Sequence, residues 1–314
     1  MTSYIIGRII ALVPVLLVVA IVTFGLIHIT PGDPATAILG DDATIEQIEA
    51  MRTRLGLDRP LPEQFIRWIS RAAIGDFGNS IYTNRPVLPT IVSRLEPTAL
   101  LTLSSLAIAI LIGIPAGIAG AVRRNSAVDQ SLLVVTLLGV SIPNFWLGLN
   151  LILLFAVAIP LLPVAGYVAL ERDWTQTFRF LLMPAFALGF SQAAIVARIT
   201  RTSMLEVFGQ DYIRTARSKG LRPTAVTYRH ALRNAMINII TVIGVVTAVL
   251  LSGSVVVETV FSIPGIGRLM IDGVQRRDYP VVQGVILFIA GLNVVVNLLV
   301  DLSYALLDPR VRYA

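Results

Sequence analysis

Six stretches of this chain stay apolar long enough to be read as membrane-crossing helices, and that repetition restricts the fold more than any local motif does. They cover about residues 9–29, 98–122, 131–159, 180–197, 236–257 and 281–300. An α-helix rises ~1.5 Å per residue, so ~20 apolar residues match ~30 Å of hydrocarbon. Inside hydrocarbon every backbone N–H and C=O must find a partner within the protein, which a helix provides along its own length. The expected fold is therefore all-α and polytopic, with six transmembrane helices. The third stretch carries Pro143 and is too short for two spans of ~20 residues, so it reads as one long helix kinked at the proline. The fourth holds Pro184 and Gln192 and is the weakest of the set. The first is too long for the apolar core of a secretory signal and ends in HITPGDP without a small-x-small cleavage pattern, so it is expected to remain as the first span.

Composition agrees with this and removes several chemistries. Of 314 residues 55% are hydrophobic and 14% charged, and the mean hydropathy is +0.79, outside the range of soluble domains. With no cysteine, disulfides, cysteine-based zinc sites, iron–sulfur ligation and thiol nucleophiles are excluded. The two histidines, His28 and His230, are far apart and flanked by no carboxylate cluster, and no HExxH pair or Ser–His arrangement is evident, so neither a catalytic nor a metal site is expected. The formal charge of +6 and a pI near 10 suggest nucleic acid only until the charge is located. Residues 198–233 hold eight basic and two acidic residues, which is the whole net charge. The positive-inside rule puts that loop, and both termini with it, in the cytoplasm. No nucleic-acid partner is needed.

The organisation expected is a first span within residues 1–29, an extracytoplasmic segment over 30–97, and a core over 98–314 with five spans and a cytoplasmic loop at 198–235. The 30–97 segment is far longer than a connection requires. Thr44 with Gln47 forms a capping-box pattern, Ile45, Ile48 and Leu55 recur at helical spacing, and Gly56 supplies a stop. Pro62 opens a second short helix with Phe65, Trp68 and Ile69 on one face and Arg67 and Arg71 on the other, an aromatic face suited to a membrane surface. Two roles fit the whole segment: a cap packed on the helix ends, and a dock for a soluble partner.

Within the basic loop, Asp211 is placed as an N-cap, Lys219 in the last turn, and Gly220 as a left-handed stop, predicting a short helix over 211–220. Pro223 starts the next helix, which continues through Arg229 and Arg233 into the fifth span. A helix shorter than ~12 residues is marginal in water, so this one must dock to be ordered. Its apolar face is Tyr212, Ile213 and Ala216; small Ala216 and Gly220 permit close backbone approach, and Arg214 and Arg217 offer donors to acidic groups or carbonyls. The blander reading is a solvated basic loop obeying the positive-inside rule, and a lipid-binding basic patch is a further option.

Asn293, Asn297 and Asp301 fall at i, i+4 and i+8 on the sixth span, forming one polar stripe. Such a stripe either lines a path for a polar solute or bonds across helices. Gly113, Gly117 and Gly120 around Pro115 permit close helix packing, and His28 reads as an interface residue. Glu258 and Arg268 bracket FSIPGIG, a turn that re-enters or bends over the bundle.

The 211–235 stretch resembles the EAA-type coupling loop of ABC importer permeases. Arg214, Thr215 and Ala216 stand where Glu-Ala-Ala would be, Gly220 falls at the motif's glycine, and His230, Ala231, Leu232 and Arg233 occupy its far end. The departures at Arg214, His230 and Arg233 match the peptide-type subgroup. TPGDP at 30–34, LGLDRPLPEQF at 55–65, GDFGNS at 75–80, ETVFSIPGIGRLM at 258–270, RRDYPVVQG at 276–284 and DPRVR at 308–312 extend the likeness nearly end to end. Together they look like the B-type membrane subunit of dipeptide, oligopeptide, glutathione or nickel importers.

That resemblance implies a type I importer permease in a bacterial cytoplasmic membrane. Its partners would be a second homologous permease completing a heterodimer, two ATP-binding cassette ATPases carrying ATP and magnesium, and an extracytoplasmic substrate-binding protein. The 211–220 helix, with Asp211, Arg214, Thr215, Ala216, Arg217 and Gly220, would couple to an ATPase. This chain contains no G-x-x-x-x-G-K-[ST] phosphate loop, so no ATP hydrolysis, enzyme activity or cofactor of its own is expected. The competing expectation, resting on Asn293, Asn297 and Asp301, is an ion-coupled secondary transporter.

Overall fold

The computed structural model describes residues 13–25, 34–39 and 43–307. In chain order the helices are α1 Val13–Gly25, α2 Pro34–Leu39, α3 Ile45–Leu55, α4 Leu61–Ala73, α5 Val87–Val122, α6 Ala127–Ser141, α7 Asn144–Ala158, α8 Trp174–Phe208, α9 Asp211–Ser218, α10 Pro223–Gly253, α11 Val255–Val260, α12 Ile266–Gln275 and α13 Tyr279–Leu307. The described residues form an all-helical fold whose β pairing is confined to an isolated bridge between Asn79 and Pro86. The chain divides into two compact units, Met1–Glu96 with Pro264–Val294 and Pro97–Ile263 with Val295–Ala314.

In the first unit, local sequence signals set the helix ends. The Thr44 Oγ1 accepts from the Gln47 N–H at 3.3 Å and the Gln47 side chain accepts from the Thr44 N–H at 3.0 Å, completing the expected capping box. Gly56 closes α3 at φ +71°, a conformation that costs a residue with a Cβ. Two segments distant in sequence are then pinned together. Buried Asp278 accepts from the Ser80 hydroxyl at 2.5 Å and from the Ile81 N–H at 3.1 Å, and the Arg276 guanidinium lies 4.3 Å from the Tyr82 ring centroid. Hydrogen bonds to a charged group contribute about 1.5–3 kcal/mol, so Asp278 is a principal fastener of this unit. Beneath it Val87, Ile91, Ile266, Val281 and Val285 make the core.

The second unit is organised around α8. Seated against α5, the backbone leaves no space for side chains at three glycines. A Cβ at Gly113 would fall 2.8 Å from the Ala193 carbonyl oxygen, one at Gly117 2.5 Å from that of Ala197, and one at Gly189 2.6 Å from that of Ser105. The expectation of close packing at Gly113 and Gly117 is met, and Gly189 supplies the reciprocal notch on α8. Leu101, Leu181, Leu188, Val246, Leu250 and Phe261 fill the surrounding core.

Among the described residues four helices, α5, α8, α10 and α13, are long and apolar enough to cross a membrane, and α6 with α7 makes a fifth only as a bent pair. Of the first expected span, α1 covers Val13–Gly25, and His28 lies outside the described residues. The third expected span needs correction. Instead of one kinked helix, α6 and α7 meet at 96°. Ile142 is extended at φ −80°, ψ 123°, as a residue before proline prefers, and Pro143 N-caps a new helix at φ −64°, ψ 134°.

Candidate docking site at helix α9

Helix α8 ends at Phe208, and after Gly209 and Gln210 the short α9 begins. Asp211 is not the N-cap: Gln210 holds that place, and Asp211 is the first helical residue, its side chain 96% exposed and 3.4 Å from the Arg214 guanidinium. A carboxylate in the first turn still faces the positive end of the helix dipole, which explains why an acidic residue suits either position. At the other end Gly220 adopts φ +77°, and its N–H donates to the Arg217 carbonyl at 2.9 Å. The stop expected there is present. Pro223 then opens α10, which winds more widely over Val226–Leu232 and continues to Gly253.

Eight residues do not sustain a helix alone, and α9 is held by its inner face. Ile213 is fully buried and Ala216 nearly so, in a cluster with Ile118, Met204, Val226, Ala231 and Ile239. Burying one isoleucine contributes about 1.5–3 kcal/mol. The Asn234 amide donates to the Tyr212 hydroxyl at 2.9 Å and to the His230 carbonyl at 2.9 Å. The Arg217 guanidinium sits 5.6 Å from the Phe208 ring centroid. The docking demanded by the shortness of the helix is thus met by its own chain. Ala216 gives close approach to helices of the same subunit, while Asp211, Arg214, Thr215, Ser218, Lys219 and Gly220 face outward. Nothing lies within 4 Å of where a Gly220 Cβ would stand. A cavity of about 450 Å³ opens beside the helix, with Ala121, Val122, Phe208, Arg217, Leu221 and Thr227 in its lining.

A second feature near this end escapes a reading of loop charges. Asp129, on the first turn of α6, accepts from Arg201 of α8 through two bonds, 2.5 Å to Nε and 2.7 Å to Nη2. The Asn125 N–H adds a third bond at 2.9 Å. Its sequence signal is modest: Ser126 caps α6 through the Asp129 N–H, which fixes Asp129 one turn inside. The partner's identity is set only by packing.

The polar stripe is less uniform than its spacing suggests. On α13 the Asn293 Oδ1 is buried with no hydrogen-bond partner among the described residues, Asn297 is exposed, and the Asp301 side chain lies outside the described residues. The FSIPGIG turn begins from packed residues: Phe261 and Ile263 are buried, and the Phe261 carbonyl accepts from the Gly166 N–H at 2.8 Å. Glu258, fully buried just before it, accepts from the Thr98 hydroxyl at 2.8 Å and the Ser254 hydroxyl at 3.0 Å. Among the described residues no group of three His, Asp or Glu side chains is placed to hold a metal ion.

Comparison with known proteins adds to this geometry. The family model described as binding-protein-dependent transport system inner membrane component matches residues 97–313, and its companion for the N-terminal part of such membrane components matches residues 1–104. The probable peptide ABC transporter permease protein y4tP of Sinorhizobium fredii is 43% identical over 313 residues, 100% of both chains. A putative peptide transport system permease of Brucella abortus is 44% identical, and the glutathione transport system permease protein GsiC of Escherichia coli K12 is 43% identical, each over 100% of both chains. Among solved structures, an inward-facing MetNI methionine ABC transporter superposes with a TM-score of 0.60 at 18% identity, covering 71% of this chain and 98% of that one, a likeness of fold.

Proposed function

The chain belongs to the family of binding-protein-dependent transport system inner membrane components, and from that membership we infer how this permease subunit of an ABC importer works and what it carries. Its substrates are small peptides or similar solutes, glutathione among them, a reading supported by the relatives at 43–44% identity over the whole chain. It forms half of the translocation pathway, with a second homologous permease as the other half. Two cytoplasmic ATPases bind the ATP and magnesium, an extracytoplasmic binding protein delivers the solute, and this chain supplies no catalytic residue. The α9 loop and both termini face the cytoplasm, supported by the concentration of basic residues in 198–233.

One observation carries the coupling role of α9: it has two faces with different owners. Ile213 and Ala216 tie it to the ends of α5, α8 and α10, so that it moves with them, while Asp211, Arg214, Thr215 and Gly220 remain outward for an ATPase. Arg217 lies between, stacked on Phe208 beside the cavity. Closure of the ATPases on ATP would push on the outward face, and the buried face would pass the displacement to the membrane helices. Arg214→Glu combined with Thr215→Trp should lower ATP-driven uptake about tenfold, a normal size for a lost coupling free energy. Thermal stability of the permease should not change. Undiminished uptake in reconstituted vesicles would remove α9 from this role.

Asn293, Asn297 and Asp301 are assigned to the solute path, supported by the partnerless buried oxygen of Asn293. The ion-coupled alternative rested on this stripe, and family membership sets it aside.

A further inference from the structure

The apolar surface of α4 is wider than the part its own chain covers. Leu61, Phe65, Trp68, Ile69 and Ala72 recur at i, i+4, i+7, i+8 and i+11, with Ile66 extending that arc, while Glu63, Arg67, Ser70 and Arg71 make the opposite face. The aromatic part is occupied. Phe24 of α1 meets Phe65 edge-on with centroids 5.4 Å apart, and Trp68 at 5.8 Å. Two apolar positions beside it are open: Ile66, on the flank of the arc, is 64% exposed, and Leu61, one turn before Phe65, is 53% exposed. On the polar side Glu63 pairs with both Arg59 and Arg67.

The position of Phe24 decides what covers that flank. The apolar stretch containing α1 runs to residue 29, so Phe24 lies near the C-terminal end of that stretch. Interfacial helices bury their apolar faces about 5–10 Å into the headgroup and acyl boundary, and tryptophan concentrates at that level. On α1 itself Val15, Leu17, Val18, Ile21 and Val22 are exposed, as in a helix facing lipid. The open flank of α4 is therefore continuous with a lipid-facing surface. We propose that α4 lies in the membrane interface at the C-terminal end of α1, with Ile66 and Leu61 in the acyl boundary and Glu63, Arg67 and Arg71 in the headgroup layer.

This rests on α1 being a membrane span and not on the transport role. The absence of cysteine makes the test direct. Ile66→Cys and Arg67→Cys, one from each face, are labelled with a small fluorophore in the assembled transporter in lipid nanodiscs, and labelled Leu61→Cys repeats the apolar position independently. The readout is quenching by headgroup-proximal doxyl lipid and by aqueous iodide. Lipid-borne quenching about threefold stronger at 66 and 61 than at 67, with iodide in the reverse order, is the expected result. Equal iodide quenching on both faces without lipid quenching overturns the proposal. So does protection of position 66 that appears only when the soluble binding protein is added, which would assign the flank to that protein.

Discussion

Helices α8 and α13 are both long enough to cross a membrane, yet their surroundings differ. In the most apolar 18-residue stretch of α8, 72% is buried within the protein; in α13 the figure is 22%. The residues follow the surroundings. Buried positions of α8 include Gly189, Gln192, Thr200 and Ser203 among small and aliphatic side chains, whereas α13 turns Val295 and Leu299 outward, each at least half exposed. Hydropathy measures how well a helix suits lipid. A span enclosed by other helices is free of that demand, tolerates polar side chains, and needs small residues for close approach. The span that looked weakest in the sequence is the one at the centre of its unit.

The largest break in this contrast is expected from Gly117→Leu. Its Cβ would stand 2.5 Å from both the Ala197 carbonyl oxygen and the Thr200 Cβ, so α5 and α8 would have to separate. Overpacking of this kind costs about 3 kcal/mol. Thermal unfolding in detergent should show the variant far less stable or unrecoverable, and a wild-type melting curve would contradict the α5–α8 crossing.

Next comes Arg201→Ala, which strands the buried Asp129 carboxylate on the α6 side of α8. Removing one partner of a buried pair costs about 3 kcal/mol. Asp129→Ala made together with Arg201→Ala should recover most of that loss, because no charge is then left alone. If the double variant is no better than Arg201→Ala, the pair is not the cause.

Smaller in stability, and read mainly in function, is Asn297→Leu on the exposed face of α13. Uptake should change with a melting temperature close to wild type. Reduced expression alone would instead make Asn297 a packing residue. The smallest effect belongs to Leu299→Ala, 60% exposed, expected within about 0.5 kcal/mol because one apolar surface facing lipid replaces another.

Much of the local structure was readable residue by residue. The Thr44–Gln47 capping box, the left-handed stops at Gly56 and Gly220, and the start of α10 at Pro223 all follow from short-range hydrogen bonding and allowed dihedrals. Asp211 was off by one position because an acidic residue is favourable both at the cap and in the first turn. Pro143 marked a disruption, but the 96° between α6 and α7 depends on what each helix packs against, including Ala194 beside Gly139 and Phe261 beside Gly148. The candidate site divided similarly. Its residues were visible as a basic, glycine-stopped helix with Ile213 and Ala216 on the apolar face, while the exposure of Tyr212, expected on that same face, was not.

The sequence by itself determined that this chain is a helical membrane protein with one strongly basic loop, since backbone satisfaction in lipid and charge asymmetry act through composition and length. Its motifs also sufficed to place it among importer permeases. Only the tertiary structure decided which face of α9 belongs to its own subunit, that α8 is enclosed, that Asp129 pairs with Arg201, and that Ser80 and Asp278 meet. Those outcomes depend on contacts between residues far apart along the chain, where helix periodicity gives the face but packing chooses the neighbour.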